Sequence, residues 1–196
     1  MIPLWLKIAY TLFVCLMVPI YWRRYGLANF LWFSDIALLT TLFALWLESP
    51  LLGSMMALAV TLPELAWSLD FFFQRISGRS AIGLSAYMFD PAIPLNLRAL
   101  SLFHLGLPVL LVWMVYRLGY DKRAFVAQTL LAAVILPLSR LFSDPRQNIN
   151  WVYGFGEKQQ DNTAGPWLVV LLIVIFSVLI YLPTHLALEK LFGLVN

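Results

Sequence analysis

The chain has 196 residues, of which 62% are hydrophobic and 12% charged, with a net charge of +3 and a mean hydropathy of +0.83. Soluble domains carry about 25% charged residues, so this composition excludes a soluble enzyme and predicts an all-α polytopic membrane protein, one six-helix domain over residues 1–196. The 13 basic residues stand singly or in pairs at the ends of apolar runs. That is a topology pattern, not a nucleic-acid footprint; it leaves membrane lipids as the expected partners, with a homo-oligomer open.

A helix needs about 20 apolar residues to cross a bilayer core. Six stretches qualify: 3–22, 28–48, 51–72, 98–118, 124–143 and 166–188. The first lacks the basic start and small-residue cleavage site of a signal peptide and runs into "YWRRYG", so it reads as a retained span. The single cysteine, Cys15, lies inside it; no intrachain disulfide can form, and a buried, inert thiol is expected. The turns at 23–26, 48–50 and 119–123 are short and make neighbouring helices antiparallel. Two longer segments, 73–97 and 144–165, carry Gly, Pro and polar residues.

By alternation, both long loops fall on the side of Arg23 and Arg24. That side holds eight basic residues (Arg23, Arg24, Arg75, Arg79, Arg98, Arg140, Arg146, Lys158) against five opposite (Lys7, Arg117, Lys122, Arg123, Lys190). The positive-inside rule then places the long loops in the cytoplasm and both termini outside, in a bacterial-type plasma membrane. "VTLPELAWSLD" (60–70) and "VILPLSRLFSD" (134–144) share Val, Leu, Pro and Asp at equal offsets. They can mark an internal repeat, or a chance match between two apolar segments.

Ionisable residues in mid-membrane cost roughly 2.5–3.5 kcal/mol each and are functional-site hypotheses by default. Ser34 and His104 each stand about six residues inside the long-loop end of their helices, roughly 9 Å deep at 1.5 Å per residue. Glu64 reaches a similar depth on the third helix, and Asp35 follows Ser34. Pro63 precedes Glu64, and Pro108 removes the amide that would bond the His104 carbonyl, as helices lining a cavity tolerate. Asp70, Arg140, Asn148, Asn150 and Trp151 lie nearer the surface, with Trp67 between, and are expected to line that cavity. The loop "SDPRQNINWVYGFG" reads either as its lid or as an ordinary connection. His185, near the far end of the last helix, reads as an interfacial histidine.

Acyl chemistry needs a hydroxyl, a base within reach and donors for the oxyanion. Ser34 and His104 supply the first two. Asp35 projects about 100° around the helix from Ser34, so Glu64 is the better carboxylate to orient His104. Asp35 is then held by Arg140 or by backbone. Asn148, Asn150 or the Trp67 indole can serve the oxyanion. A proton or cation path through Asp35, Glu64 and His104 and purely structural polar contacts between helices remain the alternatives. No paired histidines favour a metal, and no cofactor is implied.

The order of "WFSDIA" (32–37), "LPELAWSLD" (62–70), "SLFHLG" (101–106), "NINWVYG" (148–154) and "AGPWL" (164–168) resembles the YwaF-like integral membrane family. Its relatives include androgen-induced fatty-ester hydrolases and a transmembrane acyltransferase of ether phospholipids. The resemblance implies a hydrolase or acyltransferase of fatty-acyl esters or phospholipids, with Ser34 at the nucleophile position and His104 as the catalytic histidine. Two departures stand out: Trp32 replaces the motif's histidine and Ser34 its cysteine. A hydroxyl is a weaker nucleophile than a thiolate and depends more on its base. A relative that binds lipid without turning it over, or a noncatalytic scaffold, is the corresponding alternative.

Overall fold

A computed structural model of the chain describes residues 1–155 and 165–193. Six apolar helical units follow the six expected runs: α1 (Leu4–Tyr25), α2 (Phe33–Leu47), α3 (Pro50–Ser77), α4 (Leu95–Leu118), α5 (Ala124–Phe142) and α6 (Trp167–Phe192). Five of them are long and apolar enough to cross a membrane. The chain is an all-α integral membrane protein, and no strand occurs among the described residues.

The exception in length is α2, where a span over 28–48 was expected. Its 15 residues rise about 22 Å, short of a core roughly 30 Å thick. Residues Leu27–Leu31 wind instead as a tight 3₁₀ turn, and Trp32 is extended. Ser34 and Asp35 therefore occupy the first turn of α2, not a position six residues inside it. The helix ends at Glu48, which takes a left-handed conformation (φ 48°). Its carboxylate accepts from the Ile2 amide at 3.1 Å and from Lys7 at 2.7 Å, tying the start of α1 to the α2–α3 turn. Ser49 caps α3 by accepting from the Leu52 amide, and Pro50 starts the helix where a missing N–H does no harm.

The bundle is organised around α3, which packs against α2, α4, α5 and α6. Small residues permit the close approach: Gly53, Ser54, Ala57 and Ala59 are all buried, and a Cβ on Gly53 would stand only 3.7 Å from Met114 on α4. By contrast α1 sits at the edge and packs chiefly on α2. Its inner stripe runs through Val14, Met17 and Tyr21, at helical spacing. Cys15 falls one position off that stripe and is exposed on the lipid-facing side of α1, which corrects the expectation of a buried thiol.

Helix ends sort onto two faces. One carries the α1 start, the turns at 48–49 and 119–123, and the α6 end: the Asp121 amide donates to Ser54 and Lys122 pairs with Glu189 at 2.7 Å. There the Arg123 guanidinium holds the Asp121 carboxyl below the usual carboxylate range. His185 lies on this face, with Nδ1 2.6 Å from the Tyr120 hydroxyl. The other face carries both long connections and Arg23 and Arg24. The two members of the apparent repeat act differently. Asp70 lies within α3 and grips a loop, whereas Asp144 follows α5 and accepts from the Arg146 amide at 2.8 Å.

Candidate functional site

The polar residues sort into one buried cluster and two loop anchors. In the cluster, His104 Nδ1 lies 2.7 Å from Glu64 Oε2. Glu64 is 3% exposed, and its only ionic partner among the described residues is that imidazole. With Nδ1–H donating to the carboxylate, Nε2 carries the free lone pair, and it meets no hydrogen-bond partner among the described residues. The ring stacks against Trp67 (centroids 4.8 Å apart) and against its neighbour Phe103 (4.1 Å). A fixed ring with one oriented nitrogen is the arrangement of a general base.

Local sequence explains how His104 comes to face Glu64. Pro94 opens α4, and a turn at Ser101 and Leu102 interrupts it. The His104 and Leu105 amides bond only three residues back, to Ser101 and Leu102. This overwound turn aims the imidazole at α3. Glu64 directly follows Pro63, and Ser68, one turn on, donates back to the Glu64 carbonyl at 2.7 Å.

Asp35 belongs to the same neighbourhood. It is 3% exposed and within electrostatic range of Glu64. Its Oδ2 accepts from the Asn29 amide at 2.8 Å, whereas Oδ1 has no partner. Asn29 of the 3₁₀ turn, not Arg140 or backbone, therefore holds Asp35. A bare buried carboxylate oxygen is costly. Ser34, half-buried, makes no hydrogen bond to His104 or to Glu64. The structure thus brings together Asp35, Glu64 and His104, and leaves Ser34 outside their hydrogen-bond network.

Three further hydroxyls complete the cluster. Tyr21 and Ser101 bond each other at 2.8 Å, linking α1 to α4. Tyr87, from the turn Ala86–Phe89, is within electrostatic range of Tyr21 and Glu64, and desolvation pushes its hydroxyl above the usual tyrosine range. Sequence reasoning passed over all three. Tyr21 alone left a signal, since it continues the apolar stripe of α1 with a polar tip. Trp67 is 5% exposed, and its buried indole N–H interacts with the Tyr87 hydroxyl without reaching the geometry of a full hydrogen bond.

The remaining expected lining residues anchor loops. Asp70 accepts five hydrogen bonds: the Ala81, Ile82 and Gly83 amides on Oδ1, the Ser85 amide and hydroxyl on Oδ2. Asn150 accepts from the Phe33 amide at 3.2 Å, capping α2, and donates to the Leu31 carbonyl and to Ser139 on α5. Asn148 donates to Gly154 and accepts from the Tyr153 amide. Arg140 donates to the Val152 carbonyl at 2.7 Å and lies 5.0 Å from the Tyr153 ring centroid. Asn148, Asn150 and Trp151 hold left-handed backbone (φ 42°, 52° and 60°), and the loop over 144–155 is bonded into a fixed connection. Residues 156–164, including Lys158, lie outside the described residues.

Among the described residues, no three His, Cys, Asp or Glu side chains come together as a metal-binding group. Compared with known protein families, curated proteins and solved structures, the chain shows no match in any of the three.

Proposed function

We propose that the protein is an intramembrane hydrolase or acyltransferase acting on fatty-acyl esters or phospholipids, in line with the resemblance to the YwaF-like family. The observation that carries this reading is the Glu64–His104 contact at 2.7 Å, with His104 stacked on Phe103, a residue that also lines an apolar groove between α1 and α4. In this mechanism Ser34 Oγ bonds the acyl carbonyl carbon while its proton passes to His104 Nε2. The ester C–O bond then breaks and that proton leaves with the alcohol. Water or a second alcohol resolves the acyl-serine by the same path. Substrate binding must bring Ser34 within reach of Nε2, since the two are not bonded in the structure. Glu64 stabilises the imidazolium, and the buried Trp67 indole N–H is the donor for the oxyanion. The long loops face the cytoplasm of a bacterial-type membrane in this reading, by the eight-to-five excess of basic residues.

The test is release of labelled fatty acid from acyl lipids by the protein in nanodiscs. Trp67→Phe keeps an aromatic ring beside His104 while removing the N–H and part of the indole, so kcat is expected to fall roughly 100-fold, as for loss of one oxyanion donor, with KM little changed. Equal kcat in the variant removes Trp67 from the reaction.

A second reading rests on a separate observation. Asp35, with its bare Oδ1, shares the cluster with Glu64 and His104 while Ser34 does not, and this is the trio a proton path needs. Proton flux into liposomes that is abolished in Asp35→Asn supports conduction; absence of flux in the native protein excludes it.

A further inference from the structure

The seam between α1 and α4 is open to the side. Near the middle of the membrane it forms a groove of about 440 Å³, walled by apolar residues including Leu6 and Phe13 of α1 and Leu102, Phe103 and Leu110 of α4. Toward the long-loop face a second, separate hollow of about 320 Å³ lies between the same two helices, lined by Ile20, Arg23, Arg24, Pro94, Asn96 and Leu97. The Tyr21–Ser101 hydrogen bond ties the two helices together along this stretch. From Leu6 to Arg24 the seam runs roughly 27 Å along α1 at 1.5 Å per residue, close to the thickness of the hydrocarbon core.

Charge is segregated along it. Arg23 and Arg24 are exposed, and neither forms an ion pair with any described residue. They stand at the depth of lipid headgroups, where guanidinium groups bind phosphate oxygens in a fork, and Asn96 adds an amide. Beneath them the walls are apolar. At Gly106 an added Cβ would meet nothing within 4 Å, so the groove there is free of protein atoms. A pair of arginines kept only for topology needs neither a hollow nor an apolar track beneath it.

We propose that the α1–α4 seam binds an anionic glycerophospholipid, with the phosphate on Arg23 and Arg24 and an acyl chain along the groove past Phe103. This names the lipid class for the ester reading and rests on that reading only for what happens after binding.

The test is native mass spectrometry of the protein released from nanodiscs holding equal phosphatidylglycerol and phosphatidylcholine. One retained lipid per chain is expected, with phosphatidylglycerol enriched about fivefold or more. In the Arg23→Gln/Arg24→Gln variant that ratio is expected to fall to about one. In Gly106→Phe, whose side chain enters open space, retention of both lipids is expected to drop severalfold. Equal retention of the two lipids by the native protein, an unchanged ratio in the double variant, or a lipid-free dimer that fills the seam each overturns the proposal. The readout needs no turnover. Selective binding by an inactive protein defeats the ester reading alone, and turnover without selection defeats this one alone.

Discussion

His104→Ala is expected to lower fatty-acid release by roughly 100- to 10,000-fold, the range assigned to one general acid–base group. The effect is large because His104 is the only imidazole of the cluster, and neither Glu64 nor Asp35 can present an oriented ring nitrogen in its place. Glu64→Gln keeps the shape but cannot stabilise an imidazolium, and it also permits the ring to present the wrong nitrogen. A loss of similar order is expected, with KM little changed. Because the pair acts as a unit, the double variant should be no slower than His104→Ala by more than a few-fold. Multiplicative losses would show that the two residues act separately. Circular dichroism and gel filtration in detergent check that each variant folds.

Asp70→Ala is expected to destabilise the protein by about 3 kcal/mol, since hydrogen bonds to a charged group contribute roughly 1.5–3 kcal/mol each and do not add when they share one acceptor. Five donors lose their acceptor at once, and two of the four residues that supply them, Gly83 and Ser85, are themselves buried. The loop from Gly78 to Ser85 then loses its connection to α3, and trypsin should cut after Arg79 at least tenfold faster. Asp70→Asn keeps the Oδ1 acceptor for three amides but turns an NH2 group toward Ser85. About half the loss is expected. The readouts are the unfolding midpoint in detergent and the rate of cleavage. Native-like values for Asp70→Ala would mean that the loop is held by its apolar contacts, such as Met88 and Leu97, instead.

Much of the fold can be read from hydrophobic runs alone, because a lipid solvent forces apolar stretches into helices. The early boundary of α2 cannot. Its helix starts at Phe33 because Asn150, 117 residues along the chain, accepts from the Phe33 amide, and no local pattern announces such a cap. Glu64 and His104 could be paired by depth, although the helix of His104 starts at Leu95 and is interrupted at Ser101 and Leu102, which residue counting alone does not foresee. The choice between Ser34 and Asp35 depended on something else. The 100° between them is fixed by helix geometry, but which one meets Glu64 depends on how α2 rotates against α3. That rotation is set by Asn29, by the buried stripe through Ala37, Leu38 and Thr41, and by the cap.

Loop polar residues were ambiguous for a related reason. Arg140, Asn148 and Asn150 have the composition of a cavity lining, yet Arg140 and Asn148 bond carbonyls of the loop after α5, and Asn150 ties that loop to Leu31 and to Ser139. A polar side chain that satisfies backbone carbonyls and one that awaits a substrate look alike in sequence. The Trp67 indole was one of three candidate donors by composition. It is distinguished in three dimensions by its position against His104, while Asn148 bonds within its loop and Asn150 bonds Phe33, Leu31 and Ser139.

The most direct measurement of the central claim is covalent labelling of the folded protein with a fluorophosphonate, mapped by mass spectrometry of its peptides. Phosphonylation of Ser34 is expected, lost in Ser34→Ala and reduced at least 100-fold in His104→Ala. A folded native protein that releases fatty acid without any label on Ser34 would contradict Ser34 as the nucleophile. One that neither labels nor releases fatty acid would contradict acyl chemistry at this site altogether.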